Sequence, residues 1–398
     1  MIDTEFDITA VRAQYPILEE LAYFNTGTYG LMASGVLERH LEQLAAFEQR
    51  GLRMGQRLRE QIEVARERLA ARIGAEPGEL ALTGNATDGV AFTSMGIDLQ
   101  PGDEVIISNS EHPAMNYPWH YVGYRYDVAV RHFEASGDPE RVLASVRSLI
   151  TRRTRLIGTS HITSGQGIRL PVKEICAMAH ASGALALVDG AQSFGVTPID
   201  VGEIGCDLFT SNGHKWLGGP KGTGYLWARG DLMRTLMPSY VGAGALEHDG
   251  EDGVRLWPDG RRYEFGTRGF AVTAGLVFAL DWMDELGWDR VSARIEALTS
   301  RLKRQLDGAP GVRLITPVEW ELSGGLVTIE VTGKDETVLQ AQLEADGLYP
   351  RTVGKGSGRI RVSCALFNSE DEVDRLARHF LDFAAGEDGV GECGPAAG

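Results

Sequence analysis

Positive charge is in short supply in this chain. Lysine and arginine together number 39 against 55 acidic residues, a net charge of −16. No basic stripe is offered to a phosphate backbone, so nucleic acid is excluded as a partner. Long apolar runs are missing too. None approaches the roughly 18 residues of a membrane span, and no membrane partner is expected. The start, Met1-Ile-Asp-Thr-Glu-Phe-Asp7, lacks the basic residues and apolar core of a signal peptide. Cysteine is scarce: Cys176, Cys206, Cys364 and Cys393 show no CxxC spacing. Reduced thiols in the cytoplasm are the simplest expectation. No internal repeat is found.

What is present is an ordinary globular composition, 43% hydrophobic and 24% charged over 398 residues. That length supports a large core and two lobes. Short apolar runs alternate with helical patterns in the middle. Glu104–Ser108, Arg155–Ser160, Ala184–Asp189, Asp207–Ser211 and Gly224–Trp227 read as strands. Pro171–Ser182 reads as a helix closed by Gly183. This alternation predicts an α/β fold with a mostly parallel central sheet covered by helices. Helices at 34–50 and 55–73 come first. After about residue 285 the pattern changes to a long helix, Asp289–Leu306, then strand 325–331, a helix near 337–346, strand 359–363 and a last helix near 370–383. That is a smaller α+β C-terminal domain. The predicted organisation is an N-terminal segment (1–30), a large domain (31–285), a small domain (286–385) and a Gly-rich disordered tail (386–398).

Ligands in such sheets sit at the carboxyl ends of the strands. Asp189 ends the run Ala184-Leu-Ala-Leu-Val188, and Ser211-Asn-Gly-His-Lys-Trp-Leu-Gly-Gly-Pro-Lys-Gly-Thr-Gly224 follows downstream. One lysine and one buried carboxylate are what pyridoxal 5′-phosphate (PLP) needs: an amine for a Schiff base and an acid to keep the pyridine nitrogen protonated. Lys215 is expected to form the internal aldimine and then serve as base and acid at the α-carbon, with its pKa depressed by the site. Asp189 is expected to hold the pyridine N–H, and Gln192 the ring's phenolic oxygen. No His/Asp/Glu set accompanies Asp189, so no metal is expected. Asn85-Ala-Thr-Asp-Gly89 opens a helix after a short strand, a natural phosphate cradle in which Ala86 and Thr87 contribute. Gly218-Gly-Pro-Lys-Gly222 lacks the spacing of a nucleotide P-loop.

These motifs, together with Tyr23-Phe-Asn-Thr-Gly-Thr-Tyr-Gly30 and Asn368-Ser-Glu-Asp-Glu-Val-Asp374, resemble the fold-type I PLP-dependent transferases, specifically the class V aminotransferase superfamily. Thr83–Gly89, Asn212–Trp216 and Glu264–Arg268 look like the isopenicillin N epimerase-like branch. Glu111-His112, Val188–Gln192 and Arg361-Val-Ser…Asn368 look like the cysteine desulfurase branch. The resemblance implies that His112 stacks on the pyridine and that His214 reaches the phosphate. Asn212 stands where serine is common. Thr267 would contact the phosphate of a neighbouring subunit, which implies a homodimer with a shared active site. Arg361 would hold the carboxylate of a small-molecule amino-acid substrate, with Asn25 and Tyr29 near it and Arg351 a weaker candidate. Trp119, Tyr240, Trp257 and Arg268 are further pocket candidates. The resemblance implies chemistry at the α-carbon through an external aldimine and a quinonoid intermediate. Aminotransferase-type chemistry leads; a C–S lyase and an epimerase are the alternatives. The desulfurases carry their persulfide cysteine in a loop matching Arg351–Gly358, which has none here. Cys364 reads as core, so persulfide-forming desulfurase activity is not expected.

Overall fold

The computed structural model describes residues 7–250, 253–354 and 356–386. The acidic first residues, Cys393 and the tail from 387 lie outside the described residues.

Seven apolar runs make the main sheet: β1 (Leu80–Thr83), β2 (Glu104–Ser108), β3 (Ala129–Phe133), β4 (Thr154–Ser160), β5 (Leu185–Asp189), β6 (Leu208–Asn212) and β7 (Gly224–Ala228). Their order is β1-β7-β6-β5-β4-β2-β3. Most are buried along their whole length, because helices cover both faces. The neighbours from β6 to β3 are all parallel. β7 is the exception, antiparallel to both β6 and β1. The segment joining β6 to β7 is too short for a helical crossover, so the chain turns straight back.

After a short helix at Ile8–Ala13, the long helices α1 (Ser34–Arg50) and α2 (Gly55–Arg72) fall where the sequence pattern places them. On α2, Arg66 is buried and holds the Glu264 carboxylate with both terminal nitrogens, at 2.6 and 3.0 Å. Glu264 also accepts the Leu82 N–H at 2.8 Å, which fixes the 264–267 loop at the sheet edge. Asn85 caps α3 (Ala86–Gly96) through the Asp88 N–H. His112 caps α4 (Pro113–Tyr126). α5 (Val172–Ala181) ends at Gly183, whose φ of +78° continues the chain in a conformation that side chains resist.

The later chain builds a four-stranded antiparallel sheet: β8 (Val312–Leu314), β9 (Leu326–Val331), β10 (Arg351–Thr352) and β11 (Arg359–Ser363), in the order β8-β9-β11-β10. α6 (Trp288–Leu306) lays Val291, Ile295, Leu298, Leu302 and Leu306 along one stripe. α7 (Glu370–Ala385) begins with a capping box between Ser369 and Glu372. Residues Ala22–Tyr23 pair with Leu348–Tyr349, and Asn25 bridges to Ser363. The segment before α1 is therefore stitched to the second sheet. From there residues 27–30 run back to the first sheet.

Candidate active site

A cavity of about 510 Å3 opens at the carboxyl ends of β1, β5 and β6. Its walls include those strand ends, the 27–29 segment, His112 at the start of α4, Ser160 at the end of β4 and Ser164 after it, Lys221 and Gly222 before β7, and Arg351 and Arg361 of the second sheet.

Lys215 leaves β6 after Gly213-His214. Burial pushes its ammonium down to about 8, against the opposing pull of Asp189; Arg361 and Arg351 push further down. Near neutral pH the amine is thus neutral part of the time, as a nucleophile must be. Gly30 lies against the Lys215 carbonyl, where any β-carbon would collide with it. The Gly30 N–H donates to the His214 carbonyl at 2.9 Å.

Asp189 is 4% exposed. Burial raises its pKa; the Ala191 N–H, at 2.8 Å, and Lys215 lower it. That N–H is its one hydrogen bond within the described residues, so the carboxylate is open to a cationic partner. His112 sits on the wall with Nδ1 accepting the Ala114 N–H at 3.1 Å. Burial, then Lys215, Arg361 and Arg351, push its pKa down to about 4. With Nδ1 accepting, a neutral ring carries its proton on Nε2, a form suited to stacking rather than to carrying charge.

Arg361 is 4% exposed and has no carboxylate partner among the described residues. Nη1 donates to the Ser164 carbonyl at 2.8 Å and Nη2 to Thr28 Oγ1 at 2.7 Å. Its Nε is buried without a partner. Burial and then Arg351 push its pKa down to about 10. A buried, incompletely bonded guanidinium is a receptor for an anion. Arg351 lines the same wall and shares Thr28 Oγ1, at 3.1 Å. Arg359, on the same strand, pairs with Glu330 at 2.8 Å.

Several expectations need correction. Asn25 does not line the cavity. Its Oδ1 accepts the Thr28 hydroxyl at 2.6 Å, so it acts behind Thr28, which faces the arginines. The Ala86 N–H is not free for a phosphate, because Asn212 Oδ1 accepts it at 2.9 Å. Asn212 therefore ties α3 to β6. Gln192 is pinned at both ends: Trp216 Nε1 donates to its Oε1 at 2.9 Å and its Nε2 donates to the Gly27 carbonyl at 2.8 Å. One Nε2 hydrogen remains for a ligand. Thr87 and Tyr29 are on the wall. Trp119 is buried in the core, while Trp257 and Arg268 line a different cavity and Tyr240 stands exposed beside Phe265. Thr267 is exposed and outside its own subunit's cavity.

The sequence reading missed Thr28, Ser164, Lys221 and the role of Glu111. Glu111 is half-buried beside His112, accepting the Ser160 N–H at 2.9 Å and the Ser160 hydroxyl at 2.5 Å. Burial lifts its carboxyl to about 7, Ser160 opposes that, and Asp189 adds to it. Thr28 and Glu111 lay inside quoted motifs, and the signal was a polar residue beside an expected ligand. No group of three or more metal-ligating side chains occurs among the described residues.

PLP fits this cavity. Lys215 is an amine of lowered pKa, and Asp189 is an open carboxylate at the strand ends. The buried Nδ1 of His214 on the wall has no partner, and burial, then Lys215, hold that imidazole near a pKa of about 4. Fold and site together define a fold-type I PLP-dependent enzyme. The chain belongs to the aminotransferase class V family, whose model matches residues 33–376. Isopenicillin N epimerase of Streptomyces clavuligerus is 33% identical over 336 residues, covering 81% of this chain and 84% of that one. Probable cysteine desulfurase 2 of Mycobacterium leprae is 30% identical, covering 95% and 97%. Among solved structures, the cystine C–S lyase C-DES with its product cysteine persulfide superposes with a TM-score of 0.85 at 27% identity, covering 93% and 99%. A lysine-to-alanine mutant of C-DES with glycine covalently linked to its PLP cofactor gives 0.86 at 27% identity, with the same coverage.

Proposed function

We propose that this chain is a homodimeric C–S lyase that removes a sulfur substituent from the β-carbon of an amino acid. The observation that carries the reading is the placement of its thiols. Cys176, Cys206 and Cys364 are all buried, and no cysteine lines the cavity among the described residues. Burial pushes the Cys364 thiol up to about 12, so it is no nucleophile. The 351–358 segment contains no cysteine. Among the described residues no thiol faces the cavity to accept a persulfide, which supports a reading in which sulfur leaves with its substituent. The likeness to C-DES supports this reading over aminotransferase-type chemistry.

Bound PLP withdraws electrons from the α-carbon of an amino group attached to it. Lys215 holds the cofactor and takes the α-proton. Asp189 would hold the pyridine N–H, and His112 would supply an aromatic wall beside the ring. Arg361, supported by Thr28 and Asn25, takes the substrate carboxylate. The Cα–H and Cβ–S bonds break, the sulfur departs as a thiol with a proton, and the remaining enamine hydrolyses to pyruvate and ammonia. Thr267, exposed at the subunit's edge, reaches into the partner's site.

Epimerisation is the second reading, favoured by the 33% identity to isopenicillin N epimerase. It needs the same proton removal but no leaving group. The test is a panel of S-substituted L-cysteines, L-cystine, L-cysteine and single-enantiomer amino acids, read by mass detection. Pyruvate and thiol from the substituted cysteines, unchanged in a Cys364→Ser variant, are expected. Inverted amino acid without pyruvate would select the epimerase, and keto acid without thiol release would restore the aminotransferase. Release of sulfide or persulfide from L-cysteine that depends on Cys364 would overturn the exclusion of desulfurase activity.

A further inference from the structure

The phosphate end of the cavity has fewer free donors than a helix start normally offers. The Gly84 N–H is taken by the Asp88 carboxylate at 2.8 Å, the Ala86 N–H by Asn212, and the Asp88 N–H by Asn85 at 3.0 Å. The N–H groups of Asn85 and Thr87 and the Thr87 hydroxyl remain among the described residues. Asp88 also places a negative charge beside the place where a dianion would sit. His214 is held neutral there. The partial charge of one helix end is small against that of a phosphate dianion, so a full cation is needed. Arg351 and Arg361 are tied to Thr28 and Ser164 on the far wall, and Lys215 carries the cofactor's other end.

Lys221 is left. It sits in the turn before β7, and Gly224 of β7 is in register with Thr83 at the end of β1. That pairing brings the turn against the cradle: a β-carbon on Gly224 would lie 2.7 Å from the Asn85 Cα, and one on Gly84 would lie 4.0 Å from the Gly222 carbonyl. Gly222 holds a φ of +82° to make the approach. Lys221 and Gly222 both line the cavity. The ammonium donates once, to the Gly30 carbonyl at 2.7 Å. It has no carboxylate partner among the described residues, so two of its three hydrogens are free.

We propose that Lys221 is the cation that binds the phosphate of PLP, replacing the amides that Asn212, Asn85 and Asp88 have withdrawn from the cradle. The inference rests on PLP occupying this cavity through Lys215. A separate role for Lys221, holding residues 27–30 through Gly30, makes a different prediction. The experiment titrates the apo-enzyme with PLP and with pyridoxal, which lacks the phosphate, following absorbance and fluorescence. In Lys221→Met the Kd for PLP should rise about tenfold or more, the size of one lost charged hydrogen bond. The Kd for pyridoxal should stay within about twofold, a difference of roughly 0.4 kcal/mol. Lys221→Arg should restore most of the PLP affinity, and inorganic phosphate should compete with PLP less well in Lys221→Met than in wild type. Equal weakening of PLP and pyridoxal would assign Lys221 to the Gly30 contact alone and overturn the proposal, as would unchanged PLP binding. Borohydride mapping on wild type tests the underlying reading by itself: a label away from Lys215 would sink both.

Discussion

Arg361 carries the largest tension between stability and function. A buried guanidinium without a carboxylate is costly to the fold, since its charge has left water without full compensation. Replacing it with an apolar side chain of similar length should remove that cost. Arg361→Met is expected to raise the Tm of the apo-enzyme by a degree or more, or leave it unchanged, while kcat/KM falls about a hundredfold or more. A matching fall in Tm and activity would mean the residue is structural. Glu111 makes a pH prediction. Its folded carboxyl is raised to about 7 from an ordinary value of 4.5. Between those values the folded state holds more protons than the unfolded one, so this group's contribution to stability declines as pH rises through that window. Glu111→Gln removes the decline. Melting scans of the apo-enzyme should show the variant gaining on wild type from pH 5 to 7.5; parallel curves would refute the linkage. The Lys215–Asp189 pair was legible because both chemistries are written in short motifs. The engagements of Asn25, Gln192 and Ala86 were not. Each is fixed by a hydrogen bond whose direction the motif does not encode, and for Gln192 and Ala86 the partner stands far away in sequence, at Gly27 and Asn212.

At the scale of elements, propensity and pattern worked where one face is apolar and the ends are capped. α6 and α7 fall within a residue or two of expectation for that reason. Direction did not come through: β7 carries the same apolar signature as its parallel neighbours, and only the shortness of the preceding loop distinguishes it. α4 had no place in the sequence pattern; it carries Pro113 in the first turn, where its missing N–H costs nothing, and Pro118 inside the helix. The cap of α3 gives an element-level test. Asn85→Ala loses the acceptor for the Asp88 N–H and should cost about 1 kcal/mol of stability. Because the Thr87 N–H and hydroxyl on the cavity wall are untouched by the change, PLP affinity should fall less than stability does. A thermal melt and a PLP titration on the same variant check both halves.

For the whole molecule, the placement of Thr267 asks for a partner. Its loop is held at the sheet edge by Arg66 and Glu264, yet its side chain is exposed and does not line the cavity that holds Lys215. If it serves a second copy, two inactive variants should rescue each other. Mixing Lys215→Ala with Thr267→Trp and allowing subunits to exchange puts both lesions in one site and leaves the other intact. Activity should reappear; proven heterodimers that stay inactive would place Thr267 elsewhere. Thr28 and Arg361, which join in the cavity wall, are separated by most of the chain. During synthesis the ribosome delivers residues 25–30 early, but β11 emerges only near the end. The strand at Ala22–Tyr23 must wait, unpaired, for Leu348–Tyr349. Until then the nascent chain has Lys215 and Asp189 but no carboxylate receptor. If Arg361 takes the substrate carboxylate, stalled chains released ahead of residue 348 should take up PLP without gaining the ability to turn over an amino acid.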